Sequence, residues 1–257
     1  MRSVKLIIFL ICVNTLFLYS QQPLKLKVQR KVPKVSISFS AGFGYVMSSA
    51  NGDSRGFSSL YNTPNGHVFN SKNLGLQEGY GLGVTGRYVI SKNKKVSLTS
   101  ALGYNLFYNT LDKGMNRTKW NVFNLSAGVE YNFTPKQKES IFVGYSLDYN
   151  LMFGAWQSNV TYPDNSVSNI YTKFKPASRF GMSATAGMLI RLSRKTDFLV
   201  ALKGVWVNVI PKQNYYTNEP YSTFMNDSGS SNGIELEGRK NIIYLQINFG
   251  VILPIRY

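Results

Sequence analysis

From Val35 to Met47 every odd position is apolar or aromatic, while Ser36, Ser38, Ser40, Gly42 and Gly44 hold most of the even ones. Period two sends successive side chains to opposite faces of a strand, so this segment reads as a strand with one apolar and one small, polar face. The pattern recurs along the chain. Tyr80, Leu82, Val84, Tyr88 and Ile90 oppose Gly79, Gly81, Gly83, Thr85 and Arg87; Leu98, Leu102, Tyr104, Leu106 and Tyr108 oppose Ser97, Thr99, Gly103 and Asn105. Phe123 to Phe133, Ile141 to Phe153, Phe180 to Leu192 and Ile243 to Tyr257 repeat it. One further segment is irregular, with Phe198, Val200 and Leu202 on one parity and Val205, Val207 and Val209 on the other. A bulge near Lys203-Gly204 restores a single outer face, because one extra residue shifts the parity by one.

The connections alternate in length as the side chains do in polarity. Those near 91–95, 134–139 and 193–196 are short, whereas 48–78, 109–118, 157–178 and 211–240 are longer and rich in Asn, Ser, Tyr and Gly. Short turns on one side and long loops on the other are the pattern of a membrane barrel with both termini on the short-turn side. The expectation is an all-β fold, an eight-stranded antiparallel up-and-down transmembrane β-barrel over residues 35–257. A soluble lipocalin-like barrel or sandwich is the alternative, since it uses the same alternation with the apolar face inward. The unequal connections, the plentiful aromatics (17 Tyr, 16 Phe) and the glycines gathered on one face favour the membrane form.

Ahead of the strands, MRSVKLIIFLICVNTLFLYS places Arg2 and Lys5 before an apolar stretch that ends near Leu18, the three-part pattern of a secretory signal peptide over 1–20. Cys12, the only cysteine, leaves with it, which removes disulfide and thiol chemistry from the mature chain. Residues 21–34, QQPLKLKVQRKVPK, read as a basic periplasmic N-terminal segment in which Pro23 and Pro33 disfavour a continuous helix. Loss of Arg2 and Lys5 lowers the formal charge from +17 to +15. That excess does not point to nucleic acid, because it falls before the first strand and in the short turns (Lys92, Lys94, Lys95, Lys136, Lys138, Arg194, Lys195). If those connections share one side, the charge forms a basic rim suited to anionic headgroups or an acidic partner; a solvated set of turns is the alternative.

The final residues Phe249, Val251, Leu253, Ile255 and terminal Tyr257 look like the signal that barrel-assembly machinery reads on outer-membrane proteins. With the signal peptide, basic turns and Gly/Tyr-rich hairpins, the mature chain resembles the outer-membrane β-barrel domain family common in Bacteroidetes, which includes PorT-like proteins, and the small OmpA/OmpX-like barrels. The resemblance implies a cell outer-membrane location. It also implies contact with outer-membrane lipid, lipopolysaccharide and the assembly machinery, and a structural, binding or secretion-accessory role that can involve another envelope protein.

If the apolar parity faces lipid, the other parity lines a lumen just wide enough for side chains to fill. Its charged members are Arg87, Glu130, Asp148, Arg191 and Lys203, expected to form a plug-like network because an isolated buried charge is too costly to keep. A narrow gated channel through the same charges is the alternative. A loop-based enzyme is another, built on His67, the only histidine, with Asp112 or Ser158 as partners, but these residues have no diagnostic spacing. Asp53, Asp164, Asp227, Glu235 and Glu237 show no ligand spacing either, so no metal or other cofactor is expected. Loop residues such as Tyr61, Tyr162 and Tyr215 suit protein or glycan contact or anchoring at a membrane surface.

Overall fold

The structure is a computed structural model; it describes residues 31–47, 50, 60–63, 66–70, 76–109, 116–161, 167–193, 196–210, 223–226, 229–231, 234–236 and 241–256. The strands are β1 (Val35–Val46), β2 (Leu60–Thr63), β3 (Gly66–Asn70), β4 (Leu76–Val89), β5 (Val96–Asn109), β6 (Asn116–Asn132) and β7 (Glu139–Thr161). They continue with β8 (Val167–Arg191), β9 (Asp197–Trp206), β10 (Thr223–Asn226), β11 (Gly229–Ser231), β12 (Ile234–Leu236) and β13 (Ile243–Arg256). The segment read as a signal peptide, and most of the basic segment after it, lie outside the described residues.

Eight of these strands close on themselves in the order β1-β4-β5-β6-β7-β8-β9-β13, every neighbouring pair antiparallel, with β13 returning to β1. Closure removes the unpaired edges that an open sheet of this length would present. The ends of β1 and β13 meet, Val35 opposite Arg256. They lie at the end of the barrel that carries the short turns. In the first turn Lys94 takes a left-handed backbone (φ 61°), its N–H donates to the Ser91 carbonyl, and Ser91 Oγ accepts from the Val96 N–H. In the second, Gln137 N donates to the Thr134 carbonyl. The remaining strands belong to the long connections: β2 pairs with β3, β10 runs parallel to β3 and touches β8, and β11 pairs with β12.

Two sequence expectations need correction. Residues 157–161 and 167–178 are strand, not loop: β7 and β8 extend through them and stay paired from Ser140↔Leu189 out to Thr161↔Val167, with a register shift between Met152 and Gly154. Ser158 is therefore a strand residue. Nor is there a bulge at Lys203-Gly204, because β9 keeps unbroken register with both β8 and β13. Leu202 continues the outer face, whereas Val205 and Val207 point inward and are buried. Their parity changes nothing in the backbone; they are core residues at one end of the lumen.

Candidate functional site

Inside the barrel the side chains form two apolar clusters and a polar region around a cavity. At the long-connection end, Val46, Leu76, Phe107, Trp120, Val122, Met152, Val205 and Tyr244 form an apolar cluster, each at most 3% exposed. Tyr244 packs its ring 4.8 Å from that of Phe107 and accepts through its hydroxyl from Asn105 Nδ2. Phe142, Leu189, Leu199, Ala201 and Ile252 form a second cluster toward the short-turn end. Phe142, Leu199 and Ala201 of this second cluster also line a cavity of about 120 Å³, whose polar lining includes Ser40, Thr85, Arg87, Asn105, Asn124, Glu130, Lys203, Gln246 and Asn248. That volume accommodates a few waters and is far below the space a small-molecule substrate needs.

Arg87 on β4 and Glu130 on β6 meet across β5: Arg87 Nε donates to Glu130 Oε2 at 2.9 Å, Arg87 Nη1 donates to Ser38 Oγ at 2.9 Å, and the guanidinium lies over the Phe142 ring. Asp148 is 2% exposed and accepts from Ser146 Oγ at 3.3 Å through Oδ1; among the described residues its Oδ2 has no hydrogen-bond partner. Lys203 lines the cavity opposite Thr185 and Gln246, and no ion pair joins it to Asp148. Arg191 stands apart from the cavity at the end of β8, where its Nε donates to the Ser193 carbonyl of its own turn. The structure thus brings two of the five predicted charges into contact.

The polar side chains of the inner parity are held in a hydrogen-bonded frame whose pairings only the structure gives. Asn124 Nδ2 donates to Asn150 Oδ1 at 2.8 Å, Asn150 Nδ2 donates to the Val207 carbonyl at 3.0 Å, and Ser126 Oγ donates to Asn124 Oδ1. Arg179, 1% exposed, is a further interior cation that precedes the alternating stretch and so carried no period signal. Glycines set the bore. A Cβ at Gly79 would overlap the Phe107 ring, and one at Gly81 would overlap the amides of Gln246 and Asn105.

The outer face has the opposite character. Leu82 (67% exposed), Leu147 (64%) and Phe180 (59%) stand in a belt with Phe39, Leu102, Leu125 and Phe249, among others. A belt of this kind is what hydrocarbon solvates and water does not, while a closed barrel leaves no backbone edge unpaired in lipid. The fold and its two surfaces define a closed eight-stranded transmembrane β-barrel with a side-chain-filled lumen. Among the described residues no helix is long and apolar enough to cross a membrane.

Of the C-terminal residues, Phe249, Val251, Leu253 and Ile255 are all on this outer face; Tyr257 lies outside the described residues. His67 sits in β3 opposite Asn62 and Thr223 by backbone register, and Asp112 lies outside the described residues. Among the described residues no three His, Cys, Asp or Glu gather as a metal site would require. At the short-turn end, Lys34 lies over the Tyr88 ring and Lys95 over Tyr131, while Lys94 Nζ donates to the Val32 carbonyl. Lys34 extends the β1–β4 pairing by accepting from Val89 N.

No family model matches the chain, and no curated protein matches it. Solved structures similar to it include small outer-membrane barrels. Neisserial surface protein A (NspA) is 12% identical, covering 88% of this chain and 100% of its own, with a TM-score of 0.46. The outer membrane protein OprG from Pseudomonas aeruginosa is 14% identical, covering 89% and 99%, with a TM-score of 0.43. Ail, the attachment invasion locus protein of Yersinia pestis, is 9% identical, covering 87% and 100%, with a TM-score of 0.38.

Proposed function

We propose that this chain is a non-enzymatic outer-membrane barrel, exported by its N-terminal signal peptide, that serves as a structural, binding or secretion-accessory component of the envelope. The observation that carries this reading is the contrast between the two faces: an exposed apolar belt outside, and inside a lumen packed with two apolar clusters and buried polar side chains that leave a cavity of about 120 Å³. A filled lumen offers no route for solute and no room for a substrate, so activity falls to the surfaces outside the membrane. The short-turn end offers Lys34, Lys92, Lys94, Lys95, Lys136 and Lys138, a rim suited to anionic headgroups or an acidic envelope partner. A PorT-like accessory role in secretion is one form of this function, supported by the sequence resemblance alone. Phe249, Val251, Leu253, Ile255 and Tyr257 serve in the same reading as the assembly signal.

Purified, folded protein in planar bilayers is expected to give no discrete conductance, and membrane fractionation is expected to place the chain with outer-membrane markers. Reproducible channel events at low voltage would overturn the filled-lumen reading. Recovery of one partner from gently solubilised membranes, lost when Lys92, Lys94 and Lys95 are changed together to Gln, would identify the basic rim as its docking surface.

A further inference from the structure

Four strands lay a row of amide, glycine, glycine and amide across the inside of the barrel: Asn248 on β13 faces Gly42 on β1, Gly42 faces Gly81 on β4, and Gly81 faces Asn105 on β5. With two glycines side by side, the amides lean over bare backbone; a Cβ at Gly42 would overlap both Asn248 and Gln246. Beside them is the cavity of about 120 Å³. Three charged residues line it. Arg87 and Glu130 are paired with each other. The third is Lys203, set by register between Thr185 on β8 and Gln246 on β13, both of which also line the cavity. Among the described residues the Lys203 ammonium has neither a hydrogen bond nor an ion pair. Gln246, 6% exposed, has no hydrogen bond among them either. Asp148 is outside the lining and turns its Oδ1 to the Ser146 hydroxyl.

From this arrangement we infer that the cavity is a binding site for one small monovalent anion, a chloride ion, held by the Lys203 ammonium with the Gln246 amide and the Thr185 hydroxyl as further donors. A lysine inside a barrel has three protons to place and a charge to offset; water meets the first need, and an anion meets both. Because Arg87 and Glu130 cancel, the lining carries one net positive charge, which a single negative charge balances. Size selects a halide. Chloride occupies roughly the 30 Å³ share of one water, so it fits with room for a water or two beside it. A phosphate brings more bulk and a second negative charge against the Glu130 carboxylate in the same wall. The site is assembled only when β8, β9 and β13 are in register, so the ion binds the folded barrel and stabilises it.

Crystals of the folded protein grown in sodium bromide, with diffraction measured at the bromine absorption edge, locate the ion. Wild type is expected to show one anomalous peak in the lumen within hydrogen-bond reach of Lys203 Nζ, and Lys203→Met to show none there. Urea unfolding in lipid vesicles at constant ionic strength then compares sodium chloride with sodium gluconate, whose anion is too large for the cavity. The folded-to-unfolded ratio of wild type is expected to be roughly tenfold higher in chloride, the factor for an ion at about ten times its dissociation constant. Lys203→Met is expected to give the same ratio in both salts, while Lys92→Gln/Lys94→Gln/Lys95→Gln in the first short turn keeps the tenfold difference. A wild-type lumen without a bromide peak, equal stability of wild type in the two salts, or a Lys203→Met variant as chloride-dependent as wild type would overturn the site. Should Lys203→Met fail to fold, the wild-type crystals decide: a peak at Lys203 Nζ upholds the site and its absence removes it.

Discussion

Arg87 and Glu130, forty-three residues apart in sequence, meet inside the barrel at 2.9 Å with side chains 9% and 7% exposed. Removing one member of a buried pair leaves the other charge without compensation, at a cost of about 3–5 kcal/mol, whereas replacing both with apolar groups of similar size is often close to neutral. Glu130→Ala is therefore expected to destabilise the folded barrel by that order, and Arg87→Met/Glu130→Leu to recover most of the loss. Urea unfolding in lipid vesicles, run as a double-mutant cycle, measures both. A cost below about 1 kcal/mol for Glu130→Ala would show that the pair is solvated.

The bore admits glycine at some places and more at others. Gly79→Val forces a branched side chain into the Phe107 ring and is expected to cost about 1–3 kcal/mol or to block folding. Gly103→Ala is expected to be tolerated, since the nearest atom to its new Cβ lies 3.7 Å away. The shift in electrophoretic mobility between folded and heated protein reads the outcome.

Asn124 and Asn150 are 2% and 0% exposed and are joined by a 2.8 Å amide hydrogen bond. Asn150→Ala strands Asn124 Nδ2 and the Val207 carbonyl without their partner, for an expected loss of about 1–3 kcal/mol. Asn150→Leu refills the volume and leaves the same groups stranded. The two variants should therefore unfold at similar urea concentrations; a fully stable Asn150→Leu would show that packing, and not hydrogen bonding, holds this layer.

The strand segments that cross the membrane were legible because lipid on one side and a crowded bore on the other impose opposite demands on alternate residues, as at Phe39/Ser40 and Leu125/Ser126. Beyond the membrane both faces of a strand meet water, the period disappears, and so the paired segments 157–161 and 167–178 read as a loop. Large inward residues obscured the site. Phe107, Trp120, Val122, Val205 and Val207 violate the polar-in pattern because the ends of the bore are packed with apolar side chains, and in β9 that violation mimicked a bulge. The partner of Arg87 was likewise beyond sequence reasoning, since only the register of β4, β5 and β6 brings Glu130 beside it.

Leu147 stands on the lipid face, 64% exposed, beside Asp148 on the inner one. Leu147→Arg is expected to destabilise the vesicle-inserted protein by about 2–4 kcal/mol, the cost of a cation near the middle of the bilayer. Gln157→Arg, in the same strand but beyond the belt, is expected to cost less than about 1 kcal/mol.

The inside-out arrangement is tested most directly along β7. The chain from residue 21 onward contains no cysteine, so single-cysteine variants at positions 145 to 150 can each carry one nitroxide spin label in lipid vesicles. A lipid-facing odd parity predicts that labels at 145, 147 and 149 relax by collision with oxygen dissolved in the bilayer. Those at 146, 148 and 150 should be shielded from both oxygen and a water-soluble nickel chelate. Labels at 145, 147 and 149 that respond to the chelate and not to oxygen would contradict it, and would make this a soluble barrel.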